Sequence, residues 1–415
     1  MTRLGIRKGT IRRLCQMCSG RFLLCVLWAF CVLYQPPLPV SIIYLLAAGS
    51  FGYLMVFARR KLKRYIVVVL PFVFMFVLLM EVSQFSGTPI SKISHFFWLM
   101  VAILPAGLAF SSMSVRNVGY LMRVLTTAAT LQAVLALASL TIPAVQSTLH
   151  GMMQRYGVYS GQHLATWGYR IYGYGTSLMF AIPIVQSVIA SWLVLRGILN
   201  RKLSSLLLSA LIMFSAMINA KISLFTFAAA LCVGLWVERK SVARRMLFIT
   251  LAGTAAALVL LYGAGFLLDG NSRLLDWLTL LQNEELVTRF YVSYYTDPEK
   301  YRLPDGLAIL WGTGEPRPNA DVDMGFINDI WIGGLIYSGF TLATVLGWVR
   351  LIRRNCIGGD RWARVMGYSL LAAYLIANMK GSAFGYSSFM ALFVLVAYFG
   401  YGERRPVRRI RRRRR

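Results

Sequence analysis

The chain has 415 residues, 58% of them hydrophobic and 14% charged. A soluble domain carries about 45–50% apolar and about 25% charged residues, so a water-soluble globular protein is excluded. The formal net charge of +29 raises the question of nucleic acid, and the placement of the charges argues against it.

Apolar runs near the length that crosses a hydrocarbon core, about 20 residues, recur along the chain. They predict an all-α, polytopic helical membrane protein with about 12 transmembrane helices. A β-barrel would instead show short segments of alternating polarity. Residues 1–21 form a basic N-terminus that does not read as a cleaved signal peptide. The first three spans are expected at 22–34, 38–58 and 65–82, the first two separated by Pro36, Pro37 and Pro39. Between the second and third lies Arg59-Arg60-Lys61-Leu62-Lys63-Arg64. Spans four and five follow at 95–111 and 118–142, and an outer loop at 143–176. Span six is 177–195. The apolar segment 203–237 is broken at Asn219-Ala220-Lys221 and reads as two short spans meeting at a turn. Span nine is 246–266, and a long polar loop at 267–325 follows it. Spans ten to twelve, 326–349, 365–378 and 387–401, lie within the last apolar block, 326–401, ahead of an arginine-rich tail at 402–415.

Basic residues collect on the cytoplasmic side of helical membrane proteins. With both termini cytoplasmic, only Glu238, Asp360 and Glu403 of the fifteen acids fall on that side. The outer side holds the other twelve, with ten bases: Lys92, Arg155, Arg170, Lys221, Arg273, Arg289, Lys300, Arg302, Arg317 and Lys380. The arginine tail then sits against the anionic inner leaflet, where each base contributes about 1 kcal/mol. No aromatic-interleaved module accompanies it, so no nucleic-acid partner is expected. Six cysteines lie in or beside apolar runs or basic loops and imply no disulfide framework. Cys15 and Cys18 have CxxC spacing without the second pair that a zinc site needs.

The outer bases are the candidate binding groups. Lys221 sits at the apex of the break in 203–237, where an ionisable residue needs a cavity or a partner; the plainer reading is a lysine snorkelling to the interface. Lys380, in Asn378-Met379-Lys380-Gly381, repeats that pattern. Arg170 precedes Tyr172-Gly173-Tyr174-Gly175. Its planar fork suits phosphate oxygens, and Tyr172 and Tyr174 suit sugar rings; interfacial anchoring by aromatics is the alternative. Arg289 lies where the long loop turns back towards the membrane, Arg155 is intermediate, and Arg302 has Glu299 and Asp305 close by, which favours a surface ion pair. Asp321 and Asp323 precede span ten. They could act as a general base, bind a metal through oxygen, or cap the helix. Gly312 and Gly314 mark a tight turn. His95, His150 and His163 have no metal spacing, although the latter two share the loop with Arg155 and Arg170. P-loop, HExxH, GxSxG and dinucleotide-binding fingerprints are absent.

This layout resembles the Wzy-type polymerases of bacterial O antigens, capsules and exopolysaccharides. Arg170-Ile171-Tyr172-Gly173 is similar to the family's Arg-x-x-Gly, Asn219-Ala220-Lys221 to its small-residue-plus-base break, and Arg289 to a loop arginine. Leu310-Trp311-Gly312-Thr313-Gly314 and Asp321-Val322-Asp323-Met324-Gly325 look like its glycine turn and acidic re-entry, and Lys380 like a late lysine. The related O-antigen ligases usually place a His-Asn pair where Asp323-Met324-Gly325 stands here.

The resemblance implies a polymerase of the bacterial inner membrane that works on the periplasmic face. It would transfer a glycan from undecaprenyl pyrophosphate to the next lipid-linked repeat unit. Arg170, Lys221, Arg289 and Lys380, with Arg155 and Arg302, would hold the pyrophosphate, and Asp323 or Asp321 would act as base. No cofactor and no resident metal are expected. Membrane lipids and a chain-length regulator protein are the expected partners besides the lipid-linked oligosaccharide. The competing classes are an O-antigen ligase or other polyprenyl-linked glycosyltransferase, and a flippase or transporter. The latter folds usually carry internal repeats and midplane sites, which this sequence does not show.

The charge distribution generates a topology prediction. Reporter fusions after Tyr65, Arg201, Arg245 and Arg361 should report cytoplasm, and fusions near Gly161 and Glu299 the outside. An inside signal at Glu299 would overturn the assignment.

Overall fold

The computed structural model describes residues 20–87, 91–114, 117–156, 160–162, 164, 172–175, 180–220, 222–239, 298–315, 325–355, 361–381, 383–385 and 387–399. The expected span at 246–266, most of the long loop, and the arginine tail lie outside the described residues. Among the described residues the chain is all helical, without a strand. Five helices are long and apolar enough to cross a membrane, and five shorter apolar helices accompany them.

The first helices are α1 (Gly20–Tyr34), α2 (Ile42–Phe57) and α3 (Arg59–Ser86). Helix α4 covers residues 91–113 as Ser91–Trp98, a π-helical turn Leu99–Ile103, and Leu104–Met113. Then come α5 (Val118–Thr141), α6 (Pro143–Arg155), α7 (Ala181–Asn200), α8 (Leu203–Asn219) and α9 (Ile222–Val237). After the undescribed stretch follow the short α10 (Ala308–Trp311), α11 (Gly325–Asn355), α12 (Arg361–Lys380) and α13 (Ser387–Tyr398).

Two stretches expected to lie between spans are helical. The Arg59–Arg64 cluster forms the first turns of α3, with the single residue Ala58 (φ −143°, ψ 42°) as the joint to α2. Residues 143–155 of the expected outer loop form α6, because Pro143 stands at the first turn, where a missing N–H leaves nothing unpaired. The π turn in α4 has a local cause. Pro105 has no N–H to give the carbonyl four residues back, and Leu104 N–H reaches Leu99 O instead. Tyr65 donates its hydroxyl to Met100 O at 2.8 Å, satisfying this turn from α3.

The core gathers around α7, whose residues 181–193 are buried without interruption. A helix apolar on every side belongs in the interior. Helix α7 packs on α8, α9, α12 and α13. Hydroxyls and carboxamides join these helices: Gln186 to Ser215 at 3.0 Å, Ser187 to Thr226 at 2.6 Å, Ser209 to Ala190 O at 2.8 Å. Ser369 of α12 reaches Ala230 O of α9 at 2.9 Å. Small residues and interhelical hydrogen bonds replace a hydrophobic driving force where lipid is the solvent. Helix α3 is peripheral, with Ile66, Val67, Leu70 and Phe74 all more than 60% exposed; such apolar exposure fits a face towards acyl chains.

One end of the bundle is basic. Arg21 donates to Met113 O at 2.6 Å and closes the last turn of α4, and Lys61 donates to Ser111 beside it. At the same end Glu238, 5% exposed, pairs with Arg361 at 3.7 Å across the start of α12.

Helix α11 is broken at Gly334 (φ 70°, ψ −173°). The break frees the carbonyls of Trp331 and Ile332. The turn after α10 takes them: Thr313 N–H donates to Trp331 O at 2.6 Å and Gly314 N–H to Ile332 O at 3.2 Å. Thr313 Oγ1 adds a second bond to Trp331 O at 2.9 Å. A Cβ on Gly312 would sit 2.5 Å from Ile332 O, and one on Gly334 would overlap Leu310 O. The glycines therefore allow two backbones to touch. Gly334→Ala should be destabilising by more than about 1 kcal/mol, since it adds a positive-φ penalty to a backbone overlap. Gly339→Ala, with open space around it, is the control. Thermal unfolding followed by fluorescence-detected gel filtration reads both, and equal melting of the two would contradict the account.

Candidate functional site

The end opposite the basic one holds an irregular segment inside the helical bundle. Residues Tyr172–Gly175 run between α5, α8 and the turn after α1. Their backbone cannot pair with itself, so it pairs with side chains. Asn219, at the end of α8, accepts from Tyr172 N–H at 2.8 Å and donates to Tyr172 O at 3.1 Å. Its amide also donates to Ser215 O at 2.9 Å, one turn back in α8. Gly173 N–H donates to Ser139 Oγ at 3.2 Å. The Gln132 carboxamide, oriented so that both its ends are satisfied, accepts from Tyr174 N–H at 3.2 Å and donates to Tyr174 O at 3.1 Å. Three consecutive peptide N–H groups are thus held by Asn219, Ser139 and Gln132.

The depth of the segment follows from its anchors. Ser139 and Gln132 lie on one face of α5, seven residues and about 10 Å apart along the axis. The Tyr174 hydroxyl donates to Pro37 O. Gly173 needs its glycine for φ 104°. Gly175 needs one because a Cβ would meet Tyr34 O at 2.5 Å.

Of the residues predicted from sequence, Arg170, Lys221, Arg289, Asp321 and Asp323 lie outside the described residues. Arg155 is the exposed last residue of α6. Arg302 pairs with Asp305 at 3.9 Å, both exposed at 65% and 93%, and a pair this wet contributes little. Lys380 is the last residue of α12. Tyr172 is 8% exposed, and with Tyr174 it anchors the segment.

Sequence reasoning missed Asp329. It is 1% exposed, one turn inside α11. Helix α11 packs on α12, where the Tyr374 ring meets Phe326 edge-on at 6.4 Å. Asn378 donates to the Tyr374 hydroxyl at 3.4 Å and accepts from Ala383 N–H at 2.6 Å, fixing the turn after Lys380. An acid inside an apolar span is a functional candidate by default. That signal was present in the run 326–349, as it was for Gln132 in the run 118–142.

Protein-family models and curated proteins offer no match to this chain.

The carboxamide clamp predicts a specific defect. Asn219→Leu strands the Tyr172 peptide, at about 1–3 kcal/mol for each buried group left unpaired. The variant should melt earlier, and a cysteine placed at Gly161 should label no differently. Unchanged melting of Asn219→Leu would mean the segment is held by something else.

Proposed function

We propose that the chain is a polymerase of lipid-linked oligosaccharide repeat units, of the O-antigen, capsule or exopolysaccharide kind. In this reading twelve spans cross the bacterial inner membrane, both termini are cytoplasmic, and the site faces the periplasm. The observation that supports it most is the pairing of Tyr172 with Asn219. It ties the chain two residues after Arg170 to the chain two residues before Lys221. In this reading Arg170 and Lys221, which flank the paired residues in sequence, serve one site at the end of the bundle opposite its basic end. Retained positive charge there, against the general bias, suits an anionic lipid headgroup.

The chemistry balances without a further reactant. The acceptor hydroxyl of the incoming repeat attacks the anomeric carbon of the growing chain. A new C–O bond forms, the bond to undecaprenyl pyrophosphate breaks, and its electron pair leaves with the pyrophosphate. A carboxylate takes the hydroxyl proton; Asp323 is the first candidate, and Asp329, six residues on and buried against α12, is the second. Arg170, Lys221, Arg289 and Lys380 neutralise the charge that grows on the leaving group, a kind of stabilisation that often dominates catalysis. A transporter would need no such base and would show no product.

The sugar ladder on a gel tests the proposal, with membrane levels of each variant measured in parallel. Arg170→Ala and Arg289→Ala should each lower turnover by about 10²–10³. Lys should not rescue either arginine, because an ammonium cannot reproduce a bidentate fork. Asp323→Asn should remove polymer at normal protein level, since Asn caps a helix about as well. Arg411→Ala is the control and should change little. A full ladder from both arginine variants at normal protein level would end the polymerase reading.

A further inference from the structure

The segment before α11 carries a surface that the proposed reaction does not use. Tyr301, Leu303, Leu307, Leu310 and Trp311 are exposed at 46%, 36%, 76%, 41% and 47%. Their sequence neighbours Arg302 and Asp305 are also exposed and pair with each other. Large apolar side chains bounded by Tyr and Trp, with charges alongside, are the composition of a membrane–water boundary.

The geometry sets the level at which this surface lies. Residues 335–349, between the break in α11 and its first arginine, cover about 22 Å at about 1.5 Å per residue. That is most of a hydrocarbon core of about 30 Å. Arg350, Arg353 and Arg354 mark its far end. The elbow at Gly334 therefore stands near the opposite boundary, in the leaflet on that side. Segment 301–315 is fastened to this elbow. Trp331 Nε1 donates to Arg302 O at 3.0 Å, Thr313 and Gly314 hold the carbonyls of Trp331 and Ile332, and Gly334 lies against Leu310 O. The apolar surface also continues onto α11 through Leu335, Leu342 and Leu346, exposed at 45%, 39% and 46%. Their spacing of seven and four puts them on one stripe, which begins where Leu310 sits.

We propose that residues 301–311 are an interfacial anchor: Leu303, Leu307, Leu310 and Trp311 lie among the acyl chains of the leaflet at the Gly334 elbow, and the segment holds that elbow at the boundary. The occupant of the surface is lipid, because the patch continues a lipid-facing stripe and its charged groups are confined to one pair. This inference stands independently of the polymerase reading.

A cysteine at Leu307, in the full chain with its six native cysteines replaced by alanine, carries an environment-sensitive nitrobenzoxadiazole label in phosphatidylethanolamine–phosphatidylglycerol nanodiscs. Lipids bearing a nitroxide near the headgroup end of the acyl chain should quench it several-fold more than aqueous iodide does. The order should reverse at Asp305→Cys. Iodide quenching at 307 equal to that at 305 would show a water-facing loop, and quenching by neither would show a protein cover; both overturn the proposal. Photolabelling of the unmodified chain with a diazirine-bearing phospholipid, followed by peptide mapping, should mark residues 301–311. Label confined to the helices would also overturn it.

Discussion

A peptide group in hydrocarbon has no water to bond, so every departure from a helix inside a membrane needs its own partners. Among the described residues this constraint shapes the segment Tyr172–Gly175, and the elbow of α11 near the membrane boundary has its backbone groups paired in a similar way. At Tyr172–Gly175 the partners are side chains, two carboxamides and a hydroxyl, reaching from α5 and α8. At the α11 elbow the partners are backbone N–H groups from the turn after α10. Glycine enters each place for a different reason: positive φ at Gly173, close approach at Gly175, and both at Gly312 and Gly334. Helix positions without such breaks need no equivalent provision, and there the polar residues serve contact between helices.

The two ends of the bundle use polar groups differently. At the basic end, Arg21 and Lys61 satisfy the last turn of α4, and Glu238 is covered by Arg361. Those charges close helix ends and fix the bundle. At the other end the described polar groups hold backbone in place: Asn219, Ser139, Gln132, Asn378. The proposed site depends on that second arrangement, because a binding loop positioned by rigid helices keeps its geometry when a long lipid-linked chain pulls on it.

The helical class and most element limits were legible in the sequence, since apolar length speaks directly. The break at Asn219-Ala220-Lys221 was visible as well, and Ala220 is extended there as a turn requires. Three things were hidden. The Arg59–Arg64 cluster reads as a loop by charge, but one non-helical residue suffices for the joint. The Trp311–Gly314 turn reads as a local feature, whereas its partners lie some twenty residues on, at the Gly333-Gly334 pair of a run that reads as one continuous span. Asp329 was hidden among the outer acids because counting charges by side ignores depth. For the site itself, residue type suggested the bases, but no local pattern announces that Gln132 and Asn219 grip the same strand of chain.

The grip on Tyr172 also sets an order of events during synthesis. Its partner Asn219 lies 47 residues later in the chain. At about 5–20 residues per second, that partner is made roughly 2–9 seconds after the segment it holds. Until then only Ser139 and Gln132 of α5, both made earlier, can hold the segment, through Gly173 and Tyr174, and the Tyr172 peptide has water as its better partner. The clamp on Tyr172 is therefore closed only once α8 has been made, with the α5 contacts able to form first.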